Sequence, residues 1–419
     1  MRLTGMGKLV IFMLVVGVAI GAYRSLIGQR IASVPGSPTR TSNGTNGQTS
    51  GHEGGQEGNE HPGEGSGTGS TTSGDGSGGV ELPFIITAAK KGWVAAQTEA
   101  FNQKHQGQYR VVPIEVPSRE AMHAILTGKQ KPVLWSSGNP IWPARLAQAW
   151  RQKNGNNIVD LNDPAAHRVF LRSPLVFLTT KRNAKFLRPL LGTPQCWQNI
   201  RKMSLGQIKT PFGPLRFSHA DPLTSSSGML TLGLIMVDYA GRTGTGGNYS
   251  ALATNAAFLK YLKELERGLI YDADAEKGTT ALTKAFAADT SRYDFITAYE
   301  GTSLSLAAKD PNLAVIYPQP TAVSEHEVSI LQGDWVSAEQ KAGGEAFLKF
   351  LGGEASLQGG VAEKFRPVVS GTGVSLASEL SRHAAQGFQQ TFAPTELPPY
   401  EALNSAAYQW RVKIAKQAG

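Results

Sequence analysis

From Phe84 onward, short apolar runs alternate with helical stretches, and this alternation limits the folds open to the chain. "PFIITAA" reads as a strand followed by a helix over 90–103, and "YRVVPIEVP" as the next strand, with Ser118 placed to cap "REAMHAIL". "PVLWSS" leads into a helix through "PARLAQAWRQ". "SPLVFLTT", "GPLRFSHA", "YDFITAYEG" and "NLAVIYPQP" are further strands, and "VSILQG" precedes a long helix in "SAEQKAGGEAFLKFLGG". Strands alternating with helices predict an α/β architecture with parallel sheets covered on both faces. Residues 81–419 suit two such lobes better than one.

The first 80 residues follow different rules. "MRLTGMGKLVIFMLVVGVAIGAYRS" places Arg2 and Lys8 before an apolar run from Leu9 to Tyr23, the layout of an export signal or membrane anchor over 1–28. The retained anchor is preferred. Cleavage near the small residues Ala19 and Gly21 is the alternative, and in both cases the chain beyond is exported. No cysteine follows the run for acylation; the single cysteine, Cys196, reads as a packed small hydrophobe at a helix start. Residues 29–80 are dominated by Gly, Ser, Thr, Asn and Glu, cannot bury a core, and read as a flexible linker. His52 and His61 there have no metal-site spacing.

In open α/β sheets, ligands sit on the loops between a strand's carboxyl end and the next helix. Four such loops are rich in small hydroxyl residues: Thr87-Ala88-Ala89, Trp135-Ser136-Ser137-Gly138, the stretch from Asp221 to Gly228, and Tyr299-Glu300-Gly301-Thr302. Ser and Thr cap helices and Gly makes turns, so one such loop is unremarkable. Four in equivalent positions point to a polar or anionic ligand held by helix N-termini. Only one of Ser225, Ser226 and Ser227 is needed as a cap, so the other hydroxyls are surplus.

No nucleophile elbow, His-Glu-x-x-His motif or Walker loop is present, so no enzyme, metal or cofactor is expected. His219, two residues from Asp221, reads as a structural hydrogen-bonding residue. The formal net charge of +9 is dispersed, without the aromatic-interleaved basic stripe of a nucleic-acid binder.

The ordered set "KPVLWSSGNPIW", "SPLVFL", "RFSHADPLTSSSGMLTL", "ITAYEGTSL", "LAVIYPQP" and "GDWVSAEQKAGGEAFLKFL" resembles bacterial extracellular solute-binding proteins of the type II periplasmic-binding fold. The resemblance covers about 82–370 and is nearest the branch often joined to von Willebrand factor A domains. It implies two Rossmann-like α/β lobes joined by two crossover strands, the first from Ser173 and the return from "VIYPQP" to "EVSILQ". Lobe one would be 82–173 plus 322–419 and lobe two 174–321. The resemblance places Thr87, Trp135, Ser136, Ser137, Ser225, Ser226, Ser227, Tyr299 and Glu300 at a ligand cleft. It implies a small polar or anionic solute as ligand, and a membrane transporter or a separate von Willebrand A protein as partner. The alternative is an envelope protein-interaction module with no transported ligand. "TAAKKGW" has a single hydroxyl where oxyanion binders often carry a Ser pair, and "DPLTSS" lacks the spacing of a von Willebrand A metal motif. The C-terminal stretch reads as amphipathic helix near 408–415, packed on lobe one or extended as a partner-binding tail.

Overall fold

The computed structural model describes residues 79–368 and 379–415. The expected anchor and linker lie outside the described residues. In chain order the main elements are β1 (Val80–Ile86), α1 (Lys91–Lys104), β2 (Tyr109–Glu115), α2 (Ser118–Leu126), β3 (Leu134–Ser136), α3 (Ile141–Asn154) and β4 (His167–Thr180). There follow α4 (Lys181–Leu191), α5 (Cys196–Ser204), β5 (Phe217–Ser218), α6 (Ser226–Thr243), α7 (Tyr249–Leu252) and α8 (Ala256–Leu265). Next come α9 (Ala273–Lys277), α10 (Thr279–Ala288), β6 (Phe295–Tyr299), α11 (Glu300–Lys309), β7 (Leu313–Ile316) and β8 (Val323–Ile330). The last are α12 (Ala338–Leu351), α13 (Glu354–Ala362), β9 (Arg366–Pro367) and α14 (Tyr400–Lys413).

β4 organises the two-lobed fold. Its first half, His167 to Pro174, pairs antiparallel with β8 and extends the sheet β2–β1–β3–β8. From Leu175 on it pairs with β6 and β7 instead, and β6 pairs with β5. The strand changes sheets between Ser173 and Leu175, where the sequence suggests a crossover. The chain returns at Thr321 and Ala322: Leu175 N–H donates to Ala322 O at 2.8 Å, and Thr321 Oγ1 donates to Leu175 O at 2.6 Å. β4 is six residues longer than its "SPLVFLTT" signal, because "HRVFLR" carries polar residues that pair on a part-exposed stretch. The fully parallel expectation is corrected. β1, β2 and β3 are parallel, as are β5 and β6, but β8 and β4 run antiparallel because they carry the chain between lobes.

Packing follows from residue type. Phe84 on β1, Phe101 on α1 and Phe347 on α12 meet edge-to-face, with centroids 5.7 and 5.0 Å apart. α12 opens with a capping box, Ser337 and Gln340 bonding each other's backbone N–H. α6 is buried on all sides from Ser227 to Met236, as its mostly apolar composition allows, with Thr231 bonded to Thr297 at 2.9 Å. Its entry depends on Gly228, where a Cβ would lie 2.1 Å from Ala220 O. Cys196 starts α5 and is buried, and burial pushes its thiol up to about 12.

The C-terminal helix is longer than its amphipathic signal, and its partners are unexpected. α14 packs on α6 and α7, within the 174–321 segment. Trp410 is fully buried, edge-on to Tyr271, and donates its indole N–H to Glu266. Arg411 pairs with Asp221. Leu380, Phe388 and Phe392 join the core around β7 and α11. Residues 379–415 thus pack on the 174–321 segment, and they also meet the helices of 82–173, where Tyr400 lies edge-on to Trp142 and Asn404 accepts from Arg119. The apolar face that decides this, Ala402, Leu403, Ala406, Ala407 and Trp410, is visible in sequence, but its mate is not.

Candidate functional site

A cavity of about 530 Å³ opens between the ends of β1, β2 and β3 on one side and the starts of α6, α10 and α11 on the other. Thr87, Ala88, Ala89, Ser118 and Gly138 form the first wall; Ser225, Ser226, Thr279, Thr280 and Tyr299 form the second. None of the helices whose first turn lines this cavity has a side-chain cap: not the turn after Thr87, nor α2, α6 or α10. The side-chain caps Thr180, Asn248, Asn255, Asp272 and Ser337 all lie elsewhere. The backbone N–H groups of those first turns, and the positive ends of their dipoles, therefore face the cavity without a competing side chain.

The two hydroxyls best placed for a ligand are Thr87 Oγ1 and the Tyr299 phenol. Both are buried without a hydrogen-bond partner of good geometry, although the Ser226 and Ser324 hydroxyls lie beside the phenol. A buried orphan polar group costs roughly 1–3 kcal/mol, so a partner is expected there. Burial raises the Tyr299 pKa, which keeps the phenol a donor.

The serines divide by role. Ser226 Oγ accepts the Trp142 indole N–H at 3.0 Å, joining α6 to α3 across the cavity edge. Gly138 is pressed against it: a Cβ there would lie 3.0 Å from Ser226 Oγ. Ser227 is fully buried and bonds Thr279, and Ser225 lies 3.2 Å from the same threonine hydroxyl. The surplus hydroxyls of α6 thus tie it to α10. Ser118 does not cap α2, as its sequence position suggests. It is already helical, and its Oγ accepts Gly138 N–H at 2.9 Å.

Trp135, Ser136 and Ser137 lie behind the wall rather than on it. Trp135 is in the core, its ring N–H without a partner. Ser136 accepts the Lys90 ammonium at 2.6 Å, and Ser137 donates to Glu327 Oε1 at 2.6 Å. Burial lowers the Lys90 pKa to about 8 against the opposing pull of Glu327, and burial raises that of Glu327. His326 beside them is held well below its usual value by burial and by Lys90. This buried cluster ties the two first-wall loops to β8.

Glu300 is fully buried, away from the cavity-lining residues. It accepts Arg366 at 2.7 Å and 2.6 Å, and the Tyr317 hydroxyl, so its carboxylate is engaged within the protein rather than by a ligand or a neighbouring backbone N–H. Its cation lies 66 residues away in sequence and could not be read locally. His219 is structural: Nδ1 donates to Ala220 O and Nε2 to Glu266. Burial works to lower its pKa, but the Glu266 carboxylate and these bonds outweigh burial and raise it. The threonines of "KGTTA" were missed because a short helix, not a strand, precedes them. Their Gly-Thr-Thr helix start is the signal that could have found them.

A larger cavity, about 850 Å³, lies outside the crossover strands, between α3 and residues 392–401. Four of its five charged side chains pair with each other, Arg172 with Glu325 at 2.8 Å and Arg145 with Glu401 at 3.4 Å, and only Glu396 stands apart. The smaller cavity is the better candidate because its hydroxyls lack partners. Among the described residues no cluster of three His, Cys, Asp or Glu could hold a metal, and no helix is long and apolar enough to cross a membrane.

Structures of the same fold include the sulfate-binding protein SubI from Mycobacterium tuberculosis H37Rv, at 17% identity and TM-score 0.51 over 75% of this chain and 94% of that one. The periplasmic binding protein AfuA from Actinobacillus pleuropneumoniae, solved with fructose-6-phosphate, is 14% identical with TM-score 0.54 over 81% and 99% of the two chains. Iron-bound HitA from Pseudomonas aeruginosa is 14% identical with TM-score 0.52 over 81% and 99%. At these identities they establish the type II periplasmic-binding fold alone. No curated protein matches the chain. Residues 84–358 match the family described as bacterial extracellular solute-binding protein, a family of binding proteins rather than enzymes, and the chain belongs to it.

Proposed function

We propose that the protein captures a small polar or anionic solute in the cavity between Thr87 and Tyr299, outside the cytoplasm and tethered to the membrane by its first 28 residues. The observation that carries this reading is the pair of buried hydroxyls without partners, Thr87 Oγ1 and Tyr299 OH, in a cavity bordered by uncapped helix starts. Lobe one comprises 82–173 and 322–368, and lobe two 174–321 with 379–415. Ligand contacts that form only when both walls meet favour the closed arrangement. A membrane transporter receives the solute, and an association with a von Willebrand A protein falls under the same reading. The related solute binders with sulfate, sugar phosphate and iron in their descriptions support a small ligand without choosing among these.

Native mass spectrometry of the full chain, purified without unfolding, tests the reading. A bound small mass is expected, lost or weakened in Ser226→Ala and Tyr299→Phe. Loss of one hydrogen bond to a charged ligand corresponds to roughly ten-fold in Kd. No bound mass, together with no thermal shift across anions, sugars and amines, overturns it in favour of a protein-interaction module.

A further inference from the structure

The charge and size of the cavity narrow the ligand, given the solute-binding reading above. Four charged side chains stand at its rim. Glu115 is paired with Lys91 at 3.1 Å, and Glu276 with Arg411 at 3.6 Å. Lys277 and Lys284, on the wall formed by α9 and α10, have no ion-pair partner among the described residues. Lys90, buried behind the opposite wall, is offset by Glu327. The uncompensated charge is therefore positive and confined to one wall, beside the uncapped first turn of α10.

Size gives the second constraint. At about 530 Å³ the cavity falls within the range of organic-ligand pockets, roughly 300–1,000 Å³. A bare tetrahedral anion fills the space of only a few waters, at about 30 Å³ each. Held at the lysines of the second wall, it would fill only part of this space and leave Thr87, on the facing wall, without a partner. A ligand with an anionic group at the lysines and hydroxyls beyond it satisfies both walls together.

We infer that the ligand is an organic anion carrying several hydroxyls, a phosphorylated or carboxylated polyol rather than a bare inorganic oxyanion. Its anionic group sits between Lys277, Lys284 and the first turn of α10. Its hydroxyls meet Thr87 Oγ1 and the Tyr299 phenol.

Isothermal titration of the full chain with sodium sulfate, sodium phosphate, glucose, glucose 6-phosphate and glucuronate tests this. The phosphorylated or carboxylated sugar is expected to bind roughly a hundred-fold tighter than either inorganic ion or glucose, the equivalent of two charged hydrogen bonds. Combining Lys277→Ala and Lys284→Ala removes most of that margin without changing the melting temperature, since both side chains are exposed. Sulfate or phosphate binding as tightly as the sugar anions overturns the inference and leaves the solute-binding reading standing. Sugar-anion binding that the double variant leaves unchanged overturns the charge assignment. Binding of none of the five overturns the inference, and a retained small mass in native mass spectrometry then separates that failure from failure of solute binding itself.

Discussion

The indole N–H of Trp142 donates to Ser226 Oγ at 3.0 Å, joining the first turn of α3 to the first residue of α6 at the edge of the cavity. The bond crosses between lobes, and Arg119 reinforces it by donating to Leu223 O at 2.8 Å. Replacing Trp142 with Phe keeps the ring buried and removes the donor. The expected cost in fold stability is small, about 1 kcal/mol. The expected functional result is a more open unliganded protein, with a larger radius of gyration by small-angle scattering and several-fold weaker ligand binding. An unchanged scattering profile would show that the bond does not hold the lobes together.

Glu300 is predicted to matter for folding and not for ligand contact. Its bidentate bond to Arg366 is fully buried, and the guanidinium is also stacked between Phe388 and Phe392 at 4.9 and 4.8 Å. Glu300→Gln leaves a buried charge without its partner, at a cost of about 3–5 kcal/mol in urea denaturation. Ligand affinity of the folded fraction should stay within about two-fold. A ten-fold loss of affinity with little loss of stability would reverse this assignment.

The Lys90–Glu327 pair gives stability a pH dependence of known sign. The Lys90 pKa falls to about 8 on folding, so between about pH 8 and its unfolded value near 10.5 the unfolded chain holds a proton that the folded one lacks. Stability therefore rises with pH through this window, by up to about 1.4 kcal/mol per pH unit. The raised Glu327 pKa acts oppositely, and its contribution is lost as pH rises through the folded value. Denaturation from pH 7 to 10 compares the wild type with Lys90→Met combined with Glu327→Gln. The rise above pH 8 should vanish in the double variant.

The C-terminal helix is predicted to be integral to the second lobe. Trp410→Ala removes a fully buried indole and its bond to Glu266, at a cost of about 3–5 kcal/mol. Hydrogen exchange should show α14 losing protection, with α6 and α7 less protected beside it. The His219 imidazolium shares Glu266, and its raised pKa stabilises the fold fully below its unfolded value near 6.5. That contribution is lost as pH rises through the folded value. His219→Gln should flatten the stability profile there, and protection of α14 unaffected by Trp410→Ala would rule out the docking role.

The sequence by itself determined most of the strands and helices among the described residues, and which loops carry small hydroxyl residues at helix starts. These follow from local causes: β-branched and apolar runs, the Ser337–Gln340 capping box, and the apolar stretch after Gly228. Only the tertiary structure decided which hydroxyls remain free. Ser136 and Ser137 are engaged by Lys90 and Glu327, and Ser227 by Thr279, while Glu300 is bound by Arg366. Thr87 and Tyr299 are left without such partners. These pairings join residues 46 to 190 positions apart: the β1–β3 pairing sets Lys90 beside Ser136, and β8 brings Glu327 to Ser137. A local pattern shows which groups can bond, but a buried group's partner is chosen by whatever the packed chain sets beside it.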